Sequence, residues 1–130
     1  MATFKKFEEI DSWKKARELT KEVYGASNKA GFSEDFALRD QIRRAAISVM
    51  SNIAEGHDRS GTGEFVQFLA IAKASAAEVR CQLYVALDQG YIDNTKFDAL
   101  NGLATDTGKL IGGLMGYLRR SGYKGTKYKD

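Results

Sequence analysis

The stretch from Gln41 to Glu78, QIRRAAISVMSNIAEGHDRSGTGEFVQFLAIAKASAAE, decides the fold. It contains two apolar-periodic segments separated by a short polar loop that follows Gly56. Apolar residues recur every three or four positions in both segments, which is the spacing of one face of an α-helix. Both segments are also apolar beyond one face, and a helix with so wide an apolar arc needs a second partner to bury it. The stretch therefore predicts two helices with more apolar surface than one small core requires.

The same periodicity predicts one further helix on each side of this pair. The four helices are expected at about residues 11–30, 34–55, 63–89 and 95–120. Asp11 and Ser33 are expected to cap the first two, because their side chains can accept hydrogen bonds from free backbone N–H groups. Gly31, Gly56 and Gly90 are expected to end the first three, because glycine adopts the left-handed conformation that stops a helix. No segment alternates with period two for long enough to predict a strand.

The connections between the predicted helices are short, and links of that length place consecutive helices side by side in opposite directions. We therefore expect an all-α protein that forms an antiparallel up-down-up-down four-helix bundle. Residues 1–121 form a single domain in this prediction, which is the natural interpretation of a chain of 130 residues. Residues 122–130, GYKGTKYKD, are expected to be a basic, disordered tail.

The charge of the chain is concentrated at its end. The net charge is +3. Five basic residues against one acidic residue give residues 119–130 a charge of +4, which leaves −1 for residues 1–118. Such a tail can contact a phosphate backbone, although it can equally serve as a solubilising terminus. The body of the chain is therefore nearly neutral, and the basicity lies in the tail.

The compartment is expected to be the cytoplasm. Cys81 is the only cysteine, so no disulfide can form within the chain, and a reducing environment fits. The first fifteen residues carry charges where a signal peptide needs its apolar run. The longest apolar stretch near the end, residues 110–118, is too short to cross a bilayer, so no membrane partner is expected.

Two surfaces exceed what a simple bundle needs. Helix 3 has apolar residues outside its inward stripe, and these predict an oligomer interface: Val66, Ala70, Ile71, Ala74 and Ala77. Helix 4 has a second candidate stripe on the side away from its inward leucines: Gly108, Gly112 and Gly116. Each glycine costs about 1 kcal/mol in a helix relative to alanine, so the stripe indicates close approach of a neighbouring backbone or simple drift on a solvent face.

Basic residues form the candidate nucleic-acid surface. The candidates are Arg39, Arg43, Arg44, Arg59, Arg119, Arg120, Lys124, Lys127 and Lys129. Arginines on one helix face can grip phosphate oxygens. A structural role is the alternative, because Asp40 precedes Arg44 by four residues and such a pair stabilises a helix. The polar line of Arg44, Ser48, Asn52 and Glu55 is expected to form a network across subunits in that case.

Residues for catalysis are scarce. His57 is the only histidine, and it stands among glycines, where a solvated loop residue is expected. Zinc needs about three further ligands, and Cys81 is a single thiol on another helix. The glycines after Gly56 lack the lysine and the preceding strand of a phosphate-binding loop. We therefore expect no enzyme activity, no metal and no cofactor.

The chain resembles the four-helix bundle proteins encoded within intervening sequences of bacterial 23S ribosomal RNA genes. The resemblance covers roughly residues 4–120, with Phe7, Trp13 and the run Gly90-Tyr91-Ile92 matching at its flanks. Its strongest part comprises Gln41, Arg44, Ala45, Asn52, Ile53, Ala54, Glu55, Gly56, Arg59, Glu64, Phe65, Phe68, Leu69, Ile71, Ala72, Ser75 and Glu78. Ala74 and Ala77 depart from the usual glycine and leucine, which affects packing more than fold.

The resemblance implies a homopentameric barrel of antiparallel bundles. It also implies similarity to the accessory protein of diversity-generating retroelements, which binds nucleic acid and a reverse transcriptase. No catalytic residues come with it. The first hypothesis is therefore a non-enzymatic homo-oligomer that binds RNA or a ribonucleoprotein. A protein-interaction scaffold without nucleic acid is the alternative, and a metal or small-molecule enzyme stands third.

Overall fold

A computed structural model describes residues 4–59 and 61–121. It contains four long helices: α1 (Asp11–Ser27), α2 (Phe36–Asp58), α3 (Thr62–Asp88) and α4 (Asn94–Ser121). Single 3-10 turns at Phe7–Glu9 and Phe32–Glu34 precede α1 and α2. Within these two ranges there is no strand, so the predicted all-α class is confirmed.

The helix starts differ from the predicted caps. Asp35, and not Ser33, caps α2, since its Oδ1 accepts a hydrogen bond from the backbone N–H of Leu38 at 3.1 Å. Ser33 lies inside the preceding 3-10 turn, which delays the start of α2. Asp11 is the first residue of α1 rather than its cap, a position that Ile10 occupies. Asp93 caps α4 by accepting from the N–H of Lys96 at 2.8 Å.

The prediction that Gly56 ends helix 2 is wrong. The helix continues to Asp58, and Gly56 is buried within its last turns. A Cβ at this position would lie 2.8 Å from the Cβ of Phe68 and 3.0 Å from a ring carbon of Phe65. Glycine is therefore needed here because α3 passes too close for any side chain. The connection to α3 is correspondingly shorter than expected.

The other two glycines behave more nearly as predicted. Gly90 has φ of 76° and follows the end of α3 directly after the capping residue Gln89. Gly31 has φ of 87°, but α1 already ends at Ser27, so this glycine turns the loop and does not terminate the helix. Both positions require a left-handed backbone, which glycine adopts at little cost.

The core consists of two clusters of buried residues. The first contains residues from the second half of α1, the first half of α2, the second half of α3 and the first half of α4. The second contains residues from the opposite half of each helix. Each helix packs against the next one in the chain, and α4 also packs against α1. The four helices thus enclose an apolar interior made of these two clusters.

The N-terminal arm closes one end of this interior. Phe4 and Phe7 pack against the second core cluster. The ring of Phe7 lies 5.1 Å from the ring of Trp13, in an edge-to-face arrangement. Among the described helices, none combines the length and apolar character that a membrane crossing requires.

Candidate functional site

The outer face of α3 is exposed and largely apolar. We use this name for one strip of its exposed residues, which does not include the exposed Lys73 and Arg80 on the side facing α4: Gln67, Ala70, Ile71, Ala74, Ala77, Glu78, Cys81 and Val85. Six of the eight are apolar, and the side chains of Ile71 and Val85 are 50% and 42% exposed. Ordinary solvent faces of helices are charged or polar, so this face needs a different explanation. Val66, which was grouped with it from the sequence, is half-buried and packs on the second core cluster.

A groove lies between α3 and α4. Its volume is about 310 Å³, and its lining consists of small or cationic residues: Lys73, Ala76, Ala77, Arg80, Ala104, Thr105, Gly108, Lys109 and Gly112. Lys73, Arg80 and Lys109 are all exposed. We call this feature the α3–α4 groove. Sequence reasoning missed its three cations; the spacing of seven between Lys73 and Arg80 was the available signal, because it places both on one face of a helix.

The glycines of helix 4 divide between this groove and its continuation. Gly108 and Gly112 line the groove itself. A Cβ on Gly108 would meet nothing within 4 Å, whereas one on Gly112 would lie 3.7 Å from Cε of Lys73. At Gly116 the neighbour would be Nη1 of Arg120, at 3.0 Å. Within one chain, no neighbouring backbone presses against these glycines in the way that α3 presses against Gly56.

Two of the candidate arginines on α2 are held by neighbouring groups. Arg39 donates to Asp40 at 2.9 Å and to the carbonyl oxygen of Ser33 at 3.1 Å. Arg43 donates to the hydroxyl of Ser27 at 2.8 Å, and its guanidinium lies 4.5 Å from the ring centre of Tyr24. These contacts join the start of α2 to the end of α1. Arg39 and Arg43 therefore have structural roles that compete with binding a ligand.

The expected pair between Asp40 and Arg44 is wrong, since Asp40 pairs with Arg39. That hydrogen bond from Arg39 holds the pKa of Asp40 below its usual value, and the nearby charges of Arg43 and Arg44 act in the same direction. Arg44 is exposed and makes no ion pair with the described carboxylates. Of the α2 arginines, it is the one left available to a partner.

The polar line on α2 is partly satisfied within the chain. The hydroxyl of Ser48 lies 2.9 Å from that of Ser75 on α3. Asn52 donates to both the carbonyl and the hydroxyl oxygen of Ser48, at 2.9 and 3.0 Å. Glu55 accepts from Arg59 at 3.1 Å. The contact between Ser48 and Ser75 joins α2 to α3, the others are local to α2 and its end, and none of them needs a second subunit.

The candidate arginines do not form one patch. Arg39 and Arg59 are twenty residues apart on α2, which corresponds to about 30 Å along the helix axis. The guanidinium of Arg59 lies 5.0 Å from the ring centre of Phe68. Arg119 and Arg120 are exposed in the last turn of α4. Lys124, Lys127 and Lys129 lie outside the described residues.

His57 is not the solvated loop residue expected from the sequence. It lies within the last turn of α2 and is half-buried, with Nε2 at 2.9 Å from the carbonyl oxygen of Phe4. Its ring meets that of Phe65 at a steep angle, 6.2 Å between centres. The histidine therefore anchors the N-terminal arm. In residues 4–59 and 61–121, no three His, Cys, Asp or Glu side chains come together in a way that could hold a metal ion.

The loop between α3 and α4 forms a second groove at the other end of the bundle. Its volume is about 380 Å³ and it is lined by Ala26, Lys29, Tyr91, Ile92, Asp93, Thr95, Lys96 and Ala99. The hydroxyl of Tyr91 donates to Asp35 at 2.9 Å, which raises the pKa of Tyr91 above its usual value. The carboxyl of Asp93 is used to cap α4, so the lining serves the local fold.

The described residues thus define an all-α protein of four packed helices with an apolar outer face and a cationic groove. The chain matches the model of the 23S rRNA-intervening sequence protein family over residues 8–113 and belongs to that family. It is also similar in fold to a protein of unknown function from the S23 ribosomal protein family of Bacteroides thetaiotaomicron. The two chains are 23% identical and superpose with a TM-score of 0.73, over 80% of this chain and 97% of the other. No curated protein matches the chain.

Proposed function

We propose that this protein is a non-enzymatic, cytoplasmic homo-oligomer of antiparallel four-helix bundles that binds RNA or a ribonucleoprotein through basic residues. An antiparallel order accounts for the two core clusters, in which the second half of each helix meets the first half of the next. Five copies is the number that the family resemblance implies. The proposal has two parts, assembly and RNA binding, and each has its own test.

The outer face of α3 is the single observation that carries assembly. Exposed apolar side chains run along it from Ala70 to Val85, over four helical turns. Contiguous exposed apolar surface on a small protein marks an interaction site, because leaving it in water forgoes the free energy of burial. A second copy of this chain is present wherever the protein is made, so it is the partner that we propose for this face. Arg44, Asn52, Glu55 and Gly116 are proposed to lie at the margins of this contact, whereas Gly108 and Gly112 line the neighbouring α3–α4 groove.

Exposed cations support the RNA part of the proposal. Arg44, Arg119 and Arg120 are exposed, and repetition in an oligomer brings several copies of each together. The tail residues Lys124, Lys127 and Lys129 are proposed to add to the same electrostatic attraction. Binding of this kind is weakly sequence-selective, because phosphate contacts carry little base information. Structured RNA is the first probe, since the family is named for an intervening sequence of 23S rRNA.

Light scattering of the purified protein tests assembly. The mass should be several times 14.4 kDa, with five copies expected. Ile71→Glu should reduce the mass to that of one chain, because burying an unpaired carboxylate costs several kcal/mol. Leu110→Glu is the matched control: it places the same charge at an exposed apolar position on another helix, where the side chain is 38% exposed. A wild-type monomer at micromolar concentration would contradict the proposal.

The alternative function is a protein-interaction scaffold without nucleic acid. It is favoured by the contacts that hold Arg39, Arg43 and Arg59 within the chain. Gel shifts with structured RNA across a range of salt concentrations separate the two functions. Binding that weakens steeply with salt supports the RNA function. An oligomer that shifts no RNA or DNA even at low salt leaves the scaffold.

A further inference from the structure

We propose that the α3–α4 groove is the site that holds the sugar-phosphate backbone of the RNA. This inference rests on the proposed RNA binding and gives it a location. It replaces the α2 arginines as the main contact surface, since Arg39 and Arg43 are held by neighbouring groups in the chain and Arg44 alone is left exposed without an ion pair to a described carboxylate. Three properties of the groove support this assignment: its charge, its shape and the spacing of its cations.

The α3–α4 groove is positively charged. Three cations line the groove, Lys73, Arg80 and Lys109, and none of its nine lining residues is acidic. None of the three makes an ion pair with a described carboxylate. The one polar partner among them is neutral: Nε of Arg80 donates to the side-chain oxygen of Asn101 at 3.1 Å. The charge in the groove is therefore uncompensated and attracts anions.

The α3–α4 groove has the shape of an open channel. The floor consists of alanines and glycines, among them Ala76, Ala104 and Gly108, which leave room for a polymer to approach the helix backbones. The absence of a side chain at Gly108 leaves open space there, since a Cβ would have no neighbour within 4 Å. Lys73 extends across to α4, with its Nζ 3.8 Å from the position a Cβ on Gly112 would take. The cations thus stand along the sides of an open channel.

The cations of the α3–α4 groove are spaced along the helix axes. Lys73 and Arg80 are seven residues apart on α3, which corresponds to about 10.5 Å along the axis. A nucleic-acid strand carries one negative charge per nucleotide, so two cations at this separation can contact different phosphates of the same strand. Lys109 faces the same channel from α4. Beyond Gly112, Arg120 folds back beside Gly116 and continues the line of cations towards the end of α4.

The composition of the groove favours a phosphate backbone over an acidic peptide. No aromatic or large apolar residue lines it, so it offers no pocket for the side chains by which peptides are anchored. Its cations attract phosphate groups of any sequence, and no aromatic side chain among its lining residues offers a base a surface to stack on. Regularly spaced charge is the feature it can recognise. The expected ligand is an RNA strand bound without base selectivity.

The main test compares two triple variants that remove the same charge. Lys73→Gln, Arg80→Gln and Lys109→Gln together empty the groove of cations. The matched control is Lys6→Gln, Lys14→Gln and Lys21→Gln, at exposed positions outside the groove. Fluorescence anisotropy with a structured RNA should show at least about a tenfold loss of affinity for the groove variant and a salt slope smaller by about two, since each single-strand contact contributes about 0.7. The control should stay within about threefold of wild type.

A second pair of variants tests the groove without removing any cation. Gly108→Glu places a carboxylate in the channel, and Gly108→Gln places a side chain of the same size without charge. The open space at this position allows both to fold. Affinity should fall for Gly108→Glu well beyond any effect of Gly108→Gln. Equal losses in the two would indicate that bulk alone matters and would overturn the electrostatic assignment.

The outcomes separate the site from the function. If wild type binds no RNA at low salt, the proposed function fails and the site fails with it. If wild type binds RNA and the groove triple variant binds as well as the control, the site alone is overturned. Equal losses in both triple variants would also overturn it, since the attraction would then be general. Polyglutamate can be added as a competitor at the same concentration of charge as unlabelled RNA. If it displaces the labelled RNA equally well, the ligand class assigned to the groove would be an acidic peptide and not a phosphate backbone.

Discussion

Helix α3 has two neighbours and meets them in opposite ways. Against α2 it packs so closely that Gly56 has no room for a Cβ. Against α4 it leaves a groove of about 310 Å³ floored by alanine and glycine. The comparison shows that small residues have two different uses in this bundle. On one side they permit contact between helices, and on the other they keep space between them.

Polar groups differ between the two sides in the same sense. At the contact between α2 and α3, the hydroxyls of Ser48 and Ser75 bond to each other and Asn52 completes the cluster. In the α3–α4 groove, Lys73 and Lys109 have no bonding partner among the described residues. Satisfied polar groups stabilise a fold, whereas uncompensated charges are available to a ligand. The first side therefore stabilises the fold, and the second is the side that we propose for binding.

The largest expected effect on stability comes from adding a methyl group at the close contact between α2 and α3. Gly56→Ala places a Cβ 2.8 Å from the Cβ of Phe68, which cannot rotate away, so α2 and α3 must separate. Overpacking costs about 1–3 kcal/mol, and the higher helix propensity of alanine offsets about 1 kcal/mol of this. Because the clash is with a Cβ that cannot move aside, the cost should lie at the upper end of that range, and we expect the free energy of unfolding in urea to fall by about 2 kcal/mol. An unchanged midpoint would show that the contact is looser than described.

Removing the hydrogen bond on the same side should have a smaller effect. Ser75→Ala deletes the hydroxyl that bonds Ser48, while Asn52 still donates to Ser48 at 3.0 Å. Ser75 is buried, so water does not replace the lost partner freely. We expect a loss of about 0.5–1.5 kcal/mol by thermal unfolding. A double-mutant cycle with Ser48→Ala isolates the pair, and additive losses would show that the two hydroxyls do not interact.

Filling the open side should stabilise the protein. Gly108→Ala introduces a methyl group with no neighbour within 4 Å, so it meets no steric resistance. Alanine is a better helix former than glycine by up to about 1 kcal/mol. We expect a rise of that size in the free energy of unfolding, which chemical denaturation can measure. A loss comparable to that of Gly56→Ala would remove the distinction between the two sides.

The smallest effect on stability is expected at Arg44. Its side chain is exposed and makes no ion pair with the described carboxylates, so Arg44→Ala should change the free energy of unfolding by less than about 0.5 kcal/mol. Arg43→Ala is the control on the next residue: it loses the bond to Ser27 and should cost about 1 kcal/mol. Light scattering and RNA binding then show whether Arg44 serves an interface or a ligand. A large drop in melting temperature without loss of mass would support a structural role within the chain.

The apolar outer face of α3 could be predicted from the sequence, because helical periodicity places Ala70, Ile71 and Ala74 away from the inward stripe. The role of Gly56 could not. A glycine between Glu55 and a polar loop has the local pattern of a helix terminator, and only the approach of Phe68 from another helix shows otherwise. Local propensity and tertiary packing favour different ends for α2, and packing prevails.

The cationic groove could be predicted only in part. Lys73 and Arg80 share a helix face by their spacing, and this much is visible in the chain. Their position opposite Lys109 depends on how far α3 slides along α4, which is set by packing in the core. The α2 arginines posed the converse problem. Their clustering indicates a phosphate site, but Arg43 donates to Ser27 of α1, a contact that only the tertiary structure brings about, and Arg39 is held locally by Ser33 and Asp40.

Cys81 gives the outer face of α3 a chemical reporter. It is the only thiol in the chain, and it lies exposed between Ala77 and Val85. A maleimide dye should therefore label the protein at a single site, at a rate set by access to that face. If association covers this face, the rate at which Cys81 is labelled should fall as the protein concentration rises. The labelling rate would then report on association. The natural chain thus carries its own kinetic probe, and no engineered cysteine is required.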